Sequence, residues 1–138
     1  MTVAYLLDTN VVSELRKTAP HPRVMQWHAD HSHADVYLST LVIGEIRRGI
    51  DRLCPRDAKQ ADVLERWLVG LTAAYRERLL PVTVQVAEEW GRMSATNEPP
   101  PVIDGLMAAT ASVHRLTLVT RNVADVGRTG VTLVNPFD

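Results

Sequence analysis

A chain of 138 residues, 46% apolar and 22% charged, reads as one domain spanning 1–138. It is long enough to bury a real core and is neither disordered nor fibrous in composition. A formal net charge of −1 excludes the global basic field of many nucleic-acid binders, though not a local patch or bound cations. The single cysteine, Cys54, excludes an intramolecular disulfide and points to a reducing, cytoplasmic setting.

In chain order, the first element is the strand "VAYLL" (3–7). No basic start, long apolar stretch or small-residue cleavage site surrounds it, and no apolar run approaches the roughly 20 residues that cross a bilayer. The expectation is therefore a soluble protein without membrane contact. Asp8 follows the strand directly, then Thr9 and Asn10, residue types that cap helices and form turns. "WHADHSHAD" brings His28, His31 and His33 close in sequence, but no cysteine or zinc scaffold accompanies them, so the segment reads as a solvated helix end and loop. "VYLS" (36–39) is the second strand. Thr40 is placed to cap a helix with Val42, Ile46, Ile50 and Leu53 on one side, ending near Pro55.

Glu45 lies one turn into that helix, on the rim of its apolar face. Residues 55–80 read as a further helix, with Val63, Leu64, Trp67, Leu68 and Leu71 in phase. Another helix runs over 82–98 and is stopped by the prolines at 99–101. Asp104 opens the helix of 103–116, just past that rigid lead-in. "LTLVT" (116–120) and "VTLV" (131–134) close the set of strands, and Thr120, Asn122 and Asp125 follow the first of them. Trp27, Trp67 and Trp90 fall on apolar helix faces and read as core or interface.

Short, unalternated strands between amphipathic helices predict a three-layer α/β/α domain with a parallel sheet covered on both faces. Sites in such sheets form outside the carboxyl ends of the strands. Asp8, Glu45, Asp104 and Asp125 can all reach such an edge. Four converging carboxylates repel one another at neutral pH, and hard divalent cations, Mg²⁺ or Mn²⁺, relieve that repulsion. The chemistry served by such a set is metal-dependent phosphodiester hydrolysis. Each acid taken alone also has a plain structural reading: Asp8 and Asp104 as caps, Glu45 as a solvated rim residue, Asp125 as a turn former. Arg47, Arg48 and Arg121 lie beside these acids in sequence and read equally as phosphate contacts or as solvated charges.

In this order and spacing, "LLDTNVVSE", "STLVIGEIRRG", "PPVIDGLMAATA" and "LVTRNVADV" closely resemble the PIN-domain ribonucleases. More narrowly they resemble the VapC-type toxins of VapBC toxin–antitoxin modules, the FitB-like branch included, from Tyr5 to Asp138. The resemblance implies a five-stranded parallel sheet, with Asp8, Glu45, Asp104 and Asp125 holding the metal. It also implies Thr9, Asn10, Thr120 and Asn122 as residues that support the acids. Asn122 is neutral where many relatives carry an acid, which weakens a second metal site. An RNA substrate, a homodimer and a small DNA-binding antitoxin are implied too, the antitoxin's tail covering the site near the helices of 40–53 and 57–80. Two other functions compete. A dehalogenase-type phosphatase also starts with an acid after its first strand, but needs a second acid where Asn10 stands. A degenerate PIN domain would bind a regulator and cleave nothing.

Overall fold

A computed structural model describes residues 2–138. Five strands, β1 (Tyr5–Leu7), β2 (Val36–Ser39), β3 (Leu79–Leu80), β4 (Thr117–Val119) and β5 (Leu133–Val134), form one sheet in the order β3-β2-β1-β4-β5. Every neighbouring pair is parallel. The helices are α1 (Thr9–Arg16), α2 (Pro22–Ala29), α3 (Thr40–Leu53), α4 (Ala58–Ala74), α5 (Val84–Ser94), α6 (Val102–His114) and α7 (Val123–Val126). Crossovers between parallel strands are right-handed. The connections from β1 to β2 to β3 run one way across the sheet and those from β3 to β4 to β5 run the other. Helices α1–α4 therefore cover one face and α5–α7 the opposite one. The packing agrees: α1 meets α2 and α3, α3 meets α4, while α5 meets α6 and α6 meets α7.

Leu6, Leu7, Val36, Leu38, Leu118 and Val119 are all essentially inaccessible, as strands covered on both faces require. From one side Val42, Ile46 and Ile50 of α3 pack onto this core, and from the other Met107, Ala108 and Ala111 of α6. The small side chains of α6 let it approach closely. Its start is fixed by a tight fit: a Cβ on Gly105 would stand 3.1 Å from Trp90 Cδ1, 3.2 Å from its Nε1 and 3.3 Å from Pro100 Cγ. Gly105→Val adds two more carbons there and is expected to cost about 2–3 kcal/mol in urea unfolding. Gly70, where an added Cβ would meet nothing within 4 Å, provides the contrast: Gly70→Ala is expected to stabilise by roughly 0.5–1 kcal/mol. Equal effects at the two positions would remove the steric account.

Four sequence expectations change in detail. The cap of α3 is Ser39, not Thr40, since Ser39 Oγ accepts from the Leu41 N–H at 3.1 Å. The helix expected over 55–80 stops at Ala74, and its last residues become the edge strand β3, which pairs Leu38 with Leu79. Arg78 accounts for the break. Its guanidinium donates to the carbonyls of His33 (2.5 Å) and Val36 (2.6 Å) and lies over the Tyr75 ring. Asp104 does not cap α6, because Pro101 holds the cap position and no side chain caps that end. The histidine segment is only partly solvated: His31 stacks on Trp27 at 4.2 Å, and burial, with His33 and His31 nearby, lowers the His28 pKa. Among the described residues no helix is long and apolar enough to cross a membrane.

Candidate functional site

The strand order reverses direction between β1 and β4, and open α/β sheets place their sites in the crevice at such a point. Asp8 is where that crevice begins. Its backbone N–H donates to Val119 O at 2.9 Å, so the β1–β4 pairing continues up to the acid. The side chain is 5% exposed and satisfied by three donors. Oδ1 accepts from the Thr9 N–H at 2.7 Å, and Oδ2 accepts from Thr120 Oγ1 at 2.7 Å and from Asn10 Nδ2 at 3.2 Å. A buried carboxylate is tolerable only when it is hydrogen-bonded in this way.

The four polar residues expected to support the acids meet here. Thr120 Oγ1 accepts from the Asn122 N–H at 2.9 Å while donating to Asp8. Asn10 Oδ1 accepts from the Arg121 N–H at 3.2 Å, tying the start of α1 to the loop after β4. Asn122 contributes its backbone N–H to this network. Thr9 Oγ1 donates to Glu45 Oε1 at 2.6 Å, fixing the glutamate of α3 against the start of α1. On its other side, among the described residues, Glu45 has only Arg48, at 4.0 Å.

Asp104 sits in the first turn of α6, where the helix dipole favours an anion. Its carboxyl is nevertheless pushed up to about 6, first by burial and then by the charges of Asp8, Asp125 and Glu45. Asp125 lies in the first turn of α7 and is exposed. The structure thus brings Asp8, Asp125 and Glu45 within electrostatic reach of Asp104. It does not close them into a cage: among the described residues no three His, Cys, Asp or Glu side chains are grouped tightly enough to hold an ion as they stand. The donor set nonetheless suits a hard divalent cation, because it is all oxygen and its crowded negative charge lacks a cationic partner at Asp104.

Arg47, one of the arginines the sequence leaves ambiguous, is committed elsewhere. It forms a two-pronged pair with Glu65 (2.7 and 2.6 Å) and reaches Asp51 at 3.3 Å. Sequence reading missed the Trp90–Gly105 fit that sets the start of α6, and Arg16, which lines the groove beside Glu45. Neither carries a local signal, since both depend on contacts between distant segments.

Comparison with known proteins agrees with this fold. The family model for the PIN domain matches residues 5–124. The chain is 33% identical to the toxin FitB of Neisseria gonorrhoeae over 137 residues, covering 96% of this chain and 97% of that protein. It is 28% identical to the VapC ribonuclease Y4jK of Sinorhizobium fredii, covering 96% and 97%. Among solved structures, FitAcB from Neisseria gonorrhoeae superposes with a TM-score of 0.89 at 32% identity, over 96% of this chain and 98% of that one.

Proposed function

The chain belongs to the PIN-domain family, in its VapC-type toxin branch, and on that premise we propose that it is a divalent-metal-dependent endoribonuclease. It would act as the toxin of a toxin–antitoxin pair in the cytoplasm. The observation that carries this reading is the crowding of Asp104 by Asp8, Asp125 and Glu45 at the reversal of the sheet. Asp8 caps α1 and Asp104 lies in the first turn of α6, but helix ends alone do not account for gathering the charge of Asp8, Asp125 and Glu45 around Asp104.

Asp8, Glu45, Asp104 and Asp125 are the residues that would hold Mg²⁺ or Mn²⁺. A bound ion of this class polarises a phosphodiester and lowers the pKa of water. The protein's own part is positional. Thr120, Asn10 and the Thr9 N–H fix the direction of Asp8, and the Thr9 hydroxyl fixes Glu45. Neutral Asn122 leaves the loop after β4 with Asp125 as its acid, which favours a single principal ion site. Without an ion Asp104 takes up a proton near pH 6, so protons compete with the metal for it and metal affinity should weaken as pH falls through that range.

An antitoxin partner follows from the toxin reading. The face between α3 and α4 supports it: a cleft of about 600 Å³ lies there, lined by Ile43, Leu68 and Val69 among others, with Val69 63% exposed. A homodimer belongs to the same reading. The direct test is RNA cleavage by the purified chain, free of partner, with Mg²⁺, with Mn²⁺ and with EDTA. Cleavage that needs the ion, and needs more of it as the pH is lowered, is expected. Cleavage that survives EDTA, or none on transfer, ribosomal and messenger RNA, would transfer the assignment to a non-cleaving regulatory module.

A further inference from the structure

Several arginines that could grip a polyanion here are already engaged. Arg47, Arg66, Arg92 and Arg128 pair with Glu65, Asp62, Glu89 and Glu98 respectively, and Arg78 is spent on backbone carbonyls. Arg16 and Arg121 differ. Among the described residues neither has a carboxylate within 4.0 Å, and each lies over an aromatic ring: Arg16 at 5.8 Å from the Trp67 centroid, Arg121 at 4.0 Å from that of Phe137. Arg121 is near enough to help draw down the Glu14 carboxyl, but Glu14 is already held by Lys17 Nζ and the His21 N–H, both at 2.9 Å.

Their places relative to the acids are what give the pair meaning. Arg16 lines a groove of about 240 Å³ between α1 and α3 that also contains Thr9, Ser13 and Glu45. Thr9, Ser13 and Arg16 share one face of α1, with the Arg16 Cα about 10 Å along the helix from Thr9. Arg121 directly follows Thr120, whose hydroxyl donates to Asp8, and its own N–H is held by Asn10. A guanidinium laid on a ring is pre-oriented, with its donors still free for phosphate oxygens. In a chain of net charge −1, unpaired cations thus flank the acidic site.

Resting on the ribonuclease reading, we propose that Arg16 and Arg121 hold the phosphates on either side of the cleaved bond. Single-stranded RNA then crosses the acids from the Arg16–Trp67 groove to the Arg121–Phe137 ledge. The groove is walled by α1, α3 and, through Leu64 and Trp67, α4. The contacts are to the backbone, so they position the strand without reading its sequence.

The test uses the full chain carrying Asp104→Asn as a non-cleaving background and measures binding of a mixed-sequence single-stranded RNA across a salt series. Adding Arg16→Gln or Arg121→Gln should weaken binding roughly 3- to 10-fold at moderate salt and reduce the slope of log K against log salt by about 0.7 each. Arg121→Lys should restore the slope. Arg92→Gln, which removes the same charge from α5, should change neither. A purely structural role would alter melting temperature but not the salt slope. Binding by both variants that matches Arg92→Gln, or no RNA binding by the background, would overturn the proposal. Cleavage by the unmodified chain is read separately. If it cuts RNA and KM is unchanged in both arginine variants, only the clamp is lost; if it cuts nothing, the ribonuclease reading fails first.

Discussion

Asp104→Asn is expected to lower RNA cleavage by about 10³-fold or more in kcat/KM while raising the melting temperature of the metal-free protein at neutral pH. The loss follows from removing one of four charged oxygen donors from a site whose chemistry depends on a bound cation, about 4 kcal/mol of transition-state stabilisation. The gain follows from the same charge. Asp104 titrates near 6 in the folded chain against an ordinary 3.8, owing to burial and then to Asp8, Asp125 and Glu45. An acid whose folded value is raised gives stability that is fully present below its unfolded value and is lost as pH rises through the folded one. The native chain should therefore lose stability between about pH 4 and pH 6, by roughly 1–3 kcal/mol after allowance for partial solvent screening.

Asparagine carries no such charge, so the variant should melt about 3–8 °C higher at pH 7.5 and show no advantage at pH 4. Mg²⁺ should reverse the order by stabilising the native chain more than the variant. Melting curves at several pH values, with and without Mg²⁺, read all of this. A variant that melts like the parent at every pH would mean that the four acids are not crowded in solution, and full activity in the variant would remove Asp104 from the site.

Thr120→Val is expected to be the most damaging substitution that removes no charge. The side chain is wholly buried, donates to Asp8 Oδ2 at 2.7 Å and accepts from the Asn122 N–H at 2.9 Å. Valine fills nearly the same volume, so the result isolates the hydroxyl. It takes the shorter of two donors from Asp8 Oδ2 and leaves the Asn122 N–H without its acceptor, at about 1–3 kcal/mol of stability. Asp8 is then aimed by two donors instead of three, and activity should fall about 10- to 100-fold, as when supporting hydrogen bonds of ligating residues are removed. Thr120→Ser keeps the hydroxyl and should retain most of both. Urea unfolding and cleavage rates on the two variants decide the matter; equal behaviour of Val and Ser would show that Asp8 does not depend on this contact.

The parts of this molecule that were legible in its sequence are those governed by local patterning. Asp8 after "YLL" falls at a strand end because short apolar runs mark buried strands, and a buried strand must release its first charged residue at the edge; Asp125 follows "LTLVT" by five residues, in the short helix just past that strand. The helical phase of Val42, Ile46 and Ile50 likewise gave the inward face of α3, and with it the rim position of Glu45. What the sequence could not decide depends on partners far away in the chain. The helix over 55–80 breaks at Ala74 because the Arg78 guanidinium finds carbonyls of residues 33 and 36, and no propensity within 55–80 contains them.

Arg47, Arg16 and Arg121 look alike in the sequence. Tertiary structure neutralises the first with Glu65 and lays the other two on rings beside the acids. The elevated proton affinity of Asp104 arises in the same way, from burial and from three charges 96, 59 and 21 positions distant along the chain. Pattern and propensity act over one or two turns, so sequence alone determined which elements form and which acids stand at their ends. Burial and Coulomb energy act through space, so only the folded chain decided which of those charges meet, which are cancelled and which remain free.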